Sequence, residues 1–159
     1  ETGAAGWTTI VNDAFGNTEW ELGTPTGTTG PLAGAGDSAN AWCTGLGDYG
    51  VGSDISLRTP AIDLSGVASA LLSFDAYRDA DGFGDTATIR FLRSSDQSQL
   101  GEDVSIDMTI FDVDYEAIEV LVPAAAIGES VLIEFNFVSD GTLDTFSGLC
   151  LDNILVQVP

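Results

Sequence analysis

The chain has 159 residues, with 25 Asp and Glu against four cations, all arginine (Arg58, Arg78, Arg90 and Arg93), for a net charge of −21. Without a histidine or a lysine, Ser-His-Asp and Cys-His catalysis, imidazole zinc sites, Schiff bases and P-loop lysines are excluded. Charge of this sign repels phosphate backbones and anionic lipid heads, so no nucleic acid and no membrane insertion are expected.

An apolar fraction of 44% is ordinary for a folded chain, and a single domain spanning 1–159 can bury about two-thirds of its unfolded surface. The chain has no initiator Met and no basic-then-apolar leader, as expected of a mature or trimmed product. Helical periodicity is nearly absent, and Pro123–Ile127 is long enough only for a single turn.

Strands are expected, in chain order, at Trp7–Val11 and Thr18–Leu22, then, after a long Gly/Thr/Pro-rich surface loop over Gly23–Gly36, at Asn40–Thr44, Ile55–Arg58 and Ala68–Tyr77. Segment 86–93 sets Ala87, Ile89 and Phe91 against Thr86, Thr88 and Arg90. Val104–Ile110 and Ala117–Val122 follow. Segment 131–138 then alternates Val131, Ile133, Phe135 and Phe137 with Leu132, Glu134, Asn136 and Val138, and Leu149–Val158 closes the chain. Ten short strands with turn residues between them predict an all-β, two-sheet antiparallel β-sandwich of jelly-roll topology.

Cys43 and Cys150 are too far apart for a metal knuckle or a redox C-x-x-C pair. One long-range disulfide suits an exported protein; the other reading is two buried free thiols.

Oxygen ligands are the metal chemistry left to a chain this acidic. Strict alternation in the last strand sets Asp152 beside Cys150, Ile154 and Val156, on a core-type face where a carboxylate is costly without a partner. With arginine scarce, Ca²⁺ is an economical partner; a solvated position near the strand's start is the alternative. Asp79-Ala-Asp81-Gly-Phe-Gly-Asp85 opens with the rhythm of a calcium loop, but Phe83 stands where a third acid belongs and Arg90 where the closing Glu does. A plain acidic hairpin loop explains it equally well. Asn12-Asp13 and Gly36-Asp37-Ser38 are further oxygen-rich turns.

Trp20, Asn40-Ala41-Trp42, Leu57-x-Thr59-Pro60-Ala61-Ile62-Asp63-Leu64-Ser65, Leu72-Ser73-Phe74-x-x-Tyr77 and Gly148-x-x-Leu151-Asp152-Asn153-Ile154 occur in that order. Together they resemble the MAM-like jelly-roll modules of bacterial exported proteins, which include cleaved-adhesin domains and choice-of-anchor accessory modules. The resemblance covers nearly the whole chain. It implies a sandwich with a structural Ca²⁺ near the chain termini, held by Asp13, Asp37, Ser38 and Asp152. Cys43 and Cys150 depart from the family pattern on strands the fold would bring close, which favours the disulfide.

For a sugar ligand, Tyr49, Phe83 and Tyr115 in Gly/Asp-rich turns are the expected exposed stacking rings, Phe83 sharing a site with Tyr49 or Tyr115. Trp7, Trp20 and Trp42, in strands, are expected in the core. Residue type leaves a carboxylate-pair glycosidase open. No pair is marked, no Asp-Thr/Ser-Gly occurs, and Ser and Thr lack a base, so no enzyme is expected. The function expected is a secreted or cell-surface adhesin-like or carbohydrate-binding module stabilised by structural calcium, whose partner is a glycan or surface receptor. The alternative is a structural subunit or spacer of a calcium-dependent extracellular assembly, with self-association.

Overall fold

Alternation decides which side of each strand is buried. In a computed structural model that describes residues 3–143 and 145–158, β6 (Leu71–Asp79) turns Leu72, Phe74 and Ala76 inward and Ser73, Asp75 and Tyr77 outward. β10 (Ser130–Val138) does the same with Val131, Ile133, Phe135 and Phe137. Between the sheets Phe74 meets Phe135 edge to face at 5.4 Å, and Tyr49 meets Phe137 at 5.1 Å.

Among the described residues, eleven strands form two antiparallel sheets. The first sheet orders β1 (Thr8–Val11), β4 (Asp54–Arg58), β10, β7 (Thr86–Arg93) and β8 (Val104–Ile106). The second orders β2 (Trp20–Gly23), β3 (Ala41–Thr44), β11 (Gly148–Gln157), β6 and β9 (Glu116–Leu121). Setting aside the edge strands β1 and β2, the orders 4-10-7-8 and 3-11-6-9 are those of a jelly roll, as expected.

The departures have local causes. The short β5 (Ile62–Asp63), not anticipated, continues the line of β4 along β10 beyond Pro60, which has no N–H for the ladder. Thr59 bridges the gap: its N–H donates to Ile133 O, and its hydroxyl accepts from Ile133 N–H. β8 ends sooner than expected because Asp107 Oδ1 accepts from both the N–H and the hydroxyl of Thr109, turning the chain.

The segment after β2 is not a free surface loop. It crosses the outer face of the second sheet, tied by Thr29 Oγ1–H donating to Asp79, Ala35 N–H to Asp152 (2.9 Å) and Tyr115 O–H to Ala33 O (3.0 Å). Gly30 has φ +83°, and a Cβ there would fall 1.9 Å from Ser147 Oγ, so only glycine lets the loop lie this close.

Beneath the loop, Cys43 and Cys150 face each other directly across β3 and β11 and form a disulfide, packed with Ala41, Tyr77 and Tyr115. The bond closes a loop of sequence separation 107. In the chain-entropy account a loop of that length is worth about 4–5 kcal/mol. Urea unfolding with and without reductant, and of a Cys43→Ala/Cys150→Ala variant, is therefore expected to show a large drop in midpoint. A midpoint that does not move would contradict it.

Candidate functional site

β11 does not alternate strictly. Asn153 sits at φ +49°, and the register with β6 shifts between Asp152 and Leu155, a β-bulge. Asn tolerates the left-handed region better than other non-glycine residues. Before the bulge Leu149 and Leu151 face the core; after it Ile154 and Val156 do. Asp152 therefore lies with Cys150 and Asp75 on the outer side, separated from Ile154 and Val156 by the bulge, which corrects the strict-alternation expectation.

β3 pairs with β11 only at Cys150 and Leu151. Where the two part, a cavity of about 560 Å³ opens between the start of β1, the chain entering β3, and the bulge. Trp7 and Trp42 line it as half-buried rings with centroids 5.6 Å apart, tilted by 36°. Asp37, Ser38, Asn40, Asp152 and Asn153 supply its polar wall.

Oxygens converge beside Gly34. A Cβ there would lie 2.2 Å from Asn40 O, 2.5 Å from Asp152 Oδ2 and 2.7 Å from Ser38 Oγ. Asp152 Oδ2 accepts from Ala35 N–H and Oδ1 from Asn153 N–H, while Ser38 O–H donates to Asn40 O at 2.8 Å. With Asp37 on the same wall, the donors are two carboxylates, a hydroxyl and a carbonyl, a set that fits a hard cation such as Ca²⁺ and not a soft one. No arginine lines this cavity. Arg58 and Arg90 share Glu134, Arg78 pairs with Asp112, and Arg93 with Glu129. The Asp152 carboxylate helps hold the Tyr115 phenol above its ordinary pKa, after burial as the larger cause.

The other expected ligands go elsewhere. Asp13 follows the far end of β1 from Trp7; its oxygens accept from Asp54, Phe15 and Gly16 N–H groups, the Asp54 bond foremost in depressing its pKa. It thus stands apart from Asp37, Ser38 and Asp152. Asp79, Asp81 and Asp85 do not converge either. Asp79 Oδ2 accepts from Thr29 Oγ1–H and from the N–H and O–H of Ser147. Asp81 Oδ1 accepts from Phe83 N–H. Asp85 is buried, accepting the Tyr49 O–H and the Asp140 N–H, and burial raises its pKa. Among the described residues no group of three or more acidic or thiol side chains is placed to hold a metal.

The loop aromatics divide in the same way. Tyr49 is core, against the expectation, because its ring packs on Phe137 and its hydroxyl holds the acidic turn together. Tyr115 is spent on Tyr77 and on the loop carbonyl of Ala33. Of the three, Phe83 alone is fully exposed; its turn is joined to the buried Tyr49 through Asp81. Trp20 is core, as expected, whereas Trp7 and Trp42, expected in the core, line the cavity. The one sequence signal for that cavity was Asp152-Asn153 within an otherwise apolar strand.

Neither a family model nor a curated protein sequence matches the chain. Among solved structures, the K1 cleaved adhesin domain of Lys-gingipain from Porphyromonas gingivalis W83 matches with a TM-score of 0.64 at 21% identity, over 98% of this chain and 92% of that one. The chain shares the fold of cleaved adhesin domains. The K3 domain of the same protein matches at 0.60 and 19% identity, over 96% and 91%. The carbohydrate-binding module TmCBM61, solved in complex with β-1,4-galactotriose, matches at 0.59 and 9% identity, over 96% and 88%. At these identities the likeness is one of fold, and none of these three structures bears on the MAM or choice-of-anchor part of the resemblance.

The Tyr49–Asp85 contact is a sharp test of the acidic turn. Tyr49→Phe leaves a buried carboxylate without its hydroxyl donor and is expected to cost about 1–3 kcal/mol at neutral pH. Because burial raises the folded pKa of Asp85, its charge costs stability at neutral pH, and that cost is relieved as pH falls through the raised folded pKa. The penalty in Tyr49→Phe should therefore shrink at lower pH in denaturant titrations. A penalty that grows as pH falls would contradict the assignment.

Proposed function

We propose that this chain is a non-catalytic, secreted or surface-exposed binding module that takes a glycan into the Trp7–Trp42 cavity. The observation that carries the reading is the pairing of two half-buried indoles with convergent oxygens in one open cavity. Flat rings cover the apolar face of a pyranose, while Asp37, Asn40 and Asp152 are suited to its hydroxyls. The lining holds two carboxylates and no arginine, and a Ca²⁺ held there would only offset those two charges, so the ligand class is a neutral glycan. The disulfide supports an extracellular setting, since such bonds persist under oxidising conditions.

A glycan array, followed by titration of tryptophan fluorescence, tests this directly. Binding is expected to perturb Trp7 and Trp42 emission and to weaken about tenfold in Trp42→Ala. In Ca²⁺-free buffer Asp37→Ala, at an exposed position, should weaken it without lowering the melting temperature. A glycan that binds both variants as well as the wild type would remove the cavity from the function. Light scattering with and without Ca²⁺ separates the assembly alternative, which predicts calcium-dependent polymer and no glycan binding.

The same wall is proposed to hold a structural Ca²⁺ through Asp37, Ser38, Asn40 O and Asp152. A bound ion would neutralise the paired carboxylates and fix the chain entering β3. An ion that binds only the folded state stabilises it by RT ln(1 + [L]/Kd), about 2.7 kcal/mol at a hundredfold excess over Kd. Melting temperature is expected to rise with Ca²⁺ and fall in chelator, and Asp152→Ala should abolish the difference. An identical melting curve in excess chelator would refute the ion.

A further inference from the structure

At the end of the sandwich where β1 and β3 finish and β11 begins, opposite the tryptophan cavity, several loops close on one another. A Cβ on Gly52 would lie 2.9 Å from the Phe15 ring, one on Gly84 2.1 Å from Asp140 Oδ2, and one on Gly82 2.4 Å from Thr109 Cα. Gly52 N–H also donates to Asp140 O. The Phe111 ring stacks on Phe146 at 5.5 Å, joining the loop before β9 to the loop before β11.

This end leaves apolar surface unburied. Phe83 is 101% exposed, Phe15 72% and Phe111 55%, three of the eight phenylalanines in the chain. The contacts above bring the loops of these three rings together, and exposed apolar side chains gathered on one surface with a polar rim mark a place that another molecule covers. The backbone that carries Phe83 is held by hydrogen bonds. Its N–H donates to Asp81 Oδ1, the N–H groups of Gly84 and Asp85 donate to Asp81 O, and the buried Tyr49 hydroxyl accepts from Asp81 N–H while donating to Asp85. A ring carried on a turn that is already ordered adds no cost of loop ordering on association, as befits a binding anchor.

Charge selects the occupant. Asp13, Asp81, Asp107 and Asp140 stand in the same loops as these rings, and Arg78, at the end of β6, is committed to Asp112 through two hydrogen bonds of 2.7 and 2.9 Å. Such a rim repels anionic lipid, nucleic acid and a second copy of itself, and attracts a cation-bearing surface. We infer that this end docks a protein segment in which Lys or Arg side chains flank apolar ones, with Phe15, Phe83 and Phe111 as its anchors. The surface is independent of the glycan reading, so either can fail alone.

The test is selection from a phage-displayed library of random dodecapeptides on the intact, oxidised protein, with binding measured by surface plasmon resonance. Selected peptides should be enriched in Lys or Arg beside Leu, Ile or Phe. Their affinity should fall at least tenfold in Phe83→Ser and again in Phe83→Ser/Phe111→Ser, and should weaken as NaCl is raised. Phe83 is fully exposed, so Phe83→Ser should keep its melting temperature; Phe111→Ser gives up the Phe146 contact, so the double variant is compared at a temperature below its own melting transition. Peptides without basic enrichment, binding retained by the double variant, affinity indifferent to salt, or no specific peptide at all would each overturn the inference. So would Phe83-dependent binding to phosphatidylcholine vesicles in place of peptides, which would make the end a membrane contact.

Discussion

The geometry of the second sheet turns on a single backbone residue, Asn153. β11 is flanked by β3 and β6, and a ten-residue strand in that position normally keeps one face buried along its whole length. The left-handed φ at Asn153 inserts a bulge that reverses the facing, so that Leu149 and Leu151 hand over to Ile154 and Val156 without a break in the core. Cys150 and Asp152, both before the bulge, stay together on the outer side by ordinary alternation. From there Cys150 meets Cys43, and Asp152 anchors the loop at Ala35. The bulge also parts β3 from β11, and the gap is the cavity lined by Trp7 and Trp42. The loop anchor and the candidate site thus gather around one irregularity, with the disulfide in regular register just before it.

A chain without lysine has to satisfy its buried carboxylates by other means. Two arginines are used on one residue, Glu134, which lies between Arg58 and Arg90 in register on neighbouring strands. Elsewhere hydroxyls and backbone N–H groups take the place of cations. Asp79 is met by Thr29 and Ser147, Asp85 by Tyr49 and the Asp140 amide. Such partners hold a buried carboxylate in place without a second buried charge. The acidic rhythm of residues 79–85, which by spacing resembles the start of a calcium loop, is explained as scaffolding for the turn that presents Phe83.

The two ends of the sandwich differ in the kind of surface they offer. Around the start of β1 and β3, indoles and oxygens form a concave wall suited to a small polar ligand. At the opposite end, phenylalanines project from tight turns on an acid-rich surface suited to a larger partner. A module with one face for each would bridge a glycan and a protein.

The architecture was legible in the sequence because it rests on period-2 alternation, a local property. The ten expected strands are present within a few residues, and eight of them take jelly-roll order because the alternating segments have only a few ways to bury one face each. The cysteine pairing was legible because two cysteines in an oxidising setting leave one partner choice, and Asp152 stood out because a carboxylate in an apolar strand demands a partner, although only the family resemblance implied that the partner lies before β3. The site was less so. Strict alternation misplaced Asp152 relative to Ile154, since a one-residue bulge leaves only a faint trace in composition. Tyr49 reads as a loop residue and Trp42 as a strand residue, yet the loop folds inward to bury Tyr49 and β3 parts from β11 beyond Leu151, which leaves the Trp42 ring half-buried at the gap. Which carboxylates share a wall depends on contacts between residues more than a hundred apart, such as Ala35 with Asp152. Sequence by itself therefore determined the sheets, their polarity and the bond across them, all of which follow from near neighbours and chain-wide charge. Tertiary structure alone decided which rings are free and which acids converge, because those are set by how distant loops pack over the strand ends.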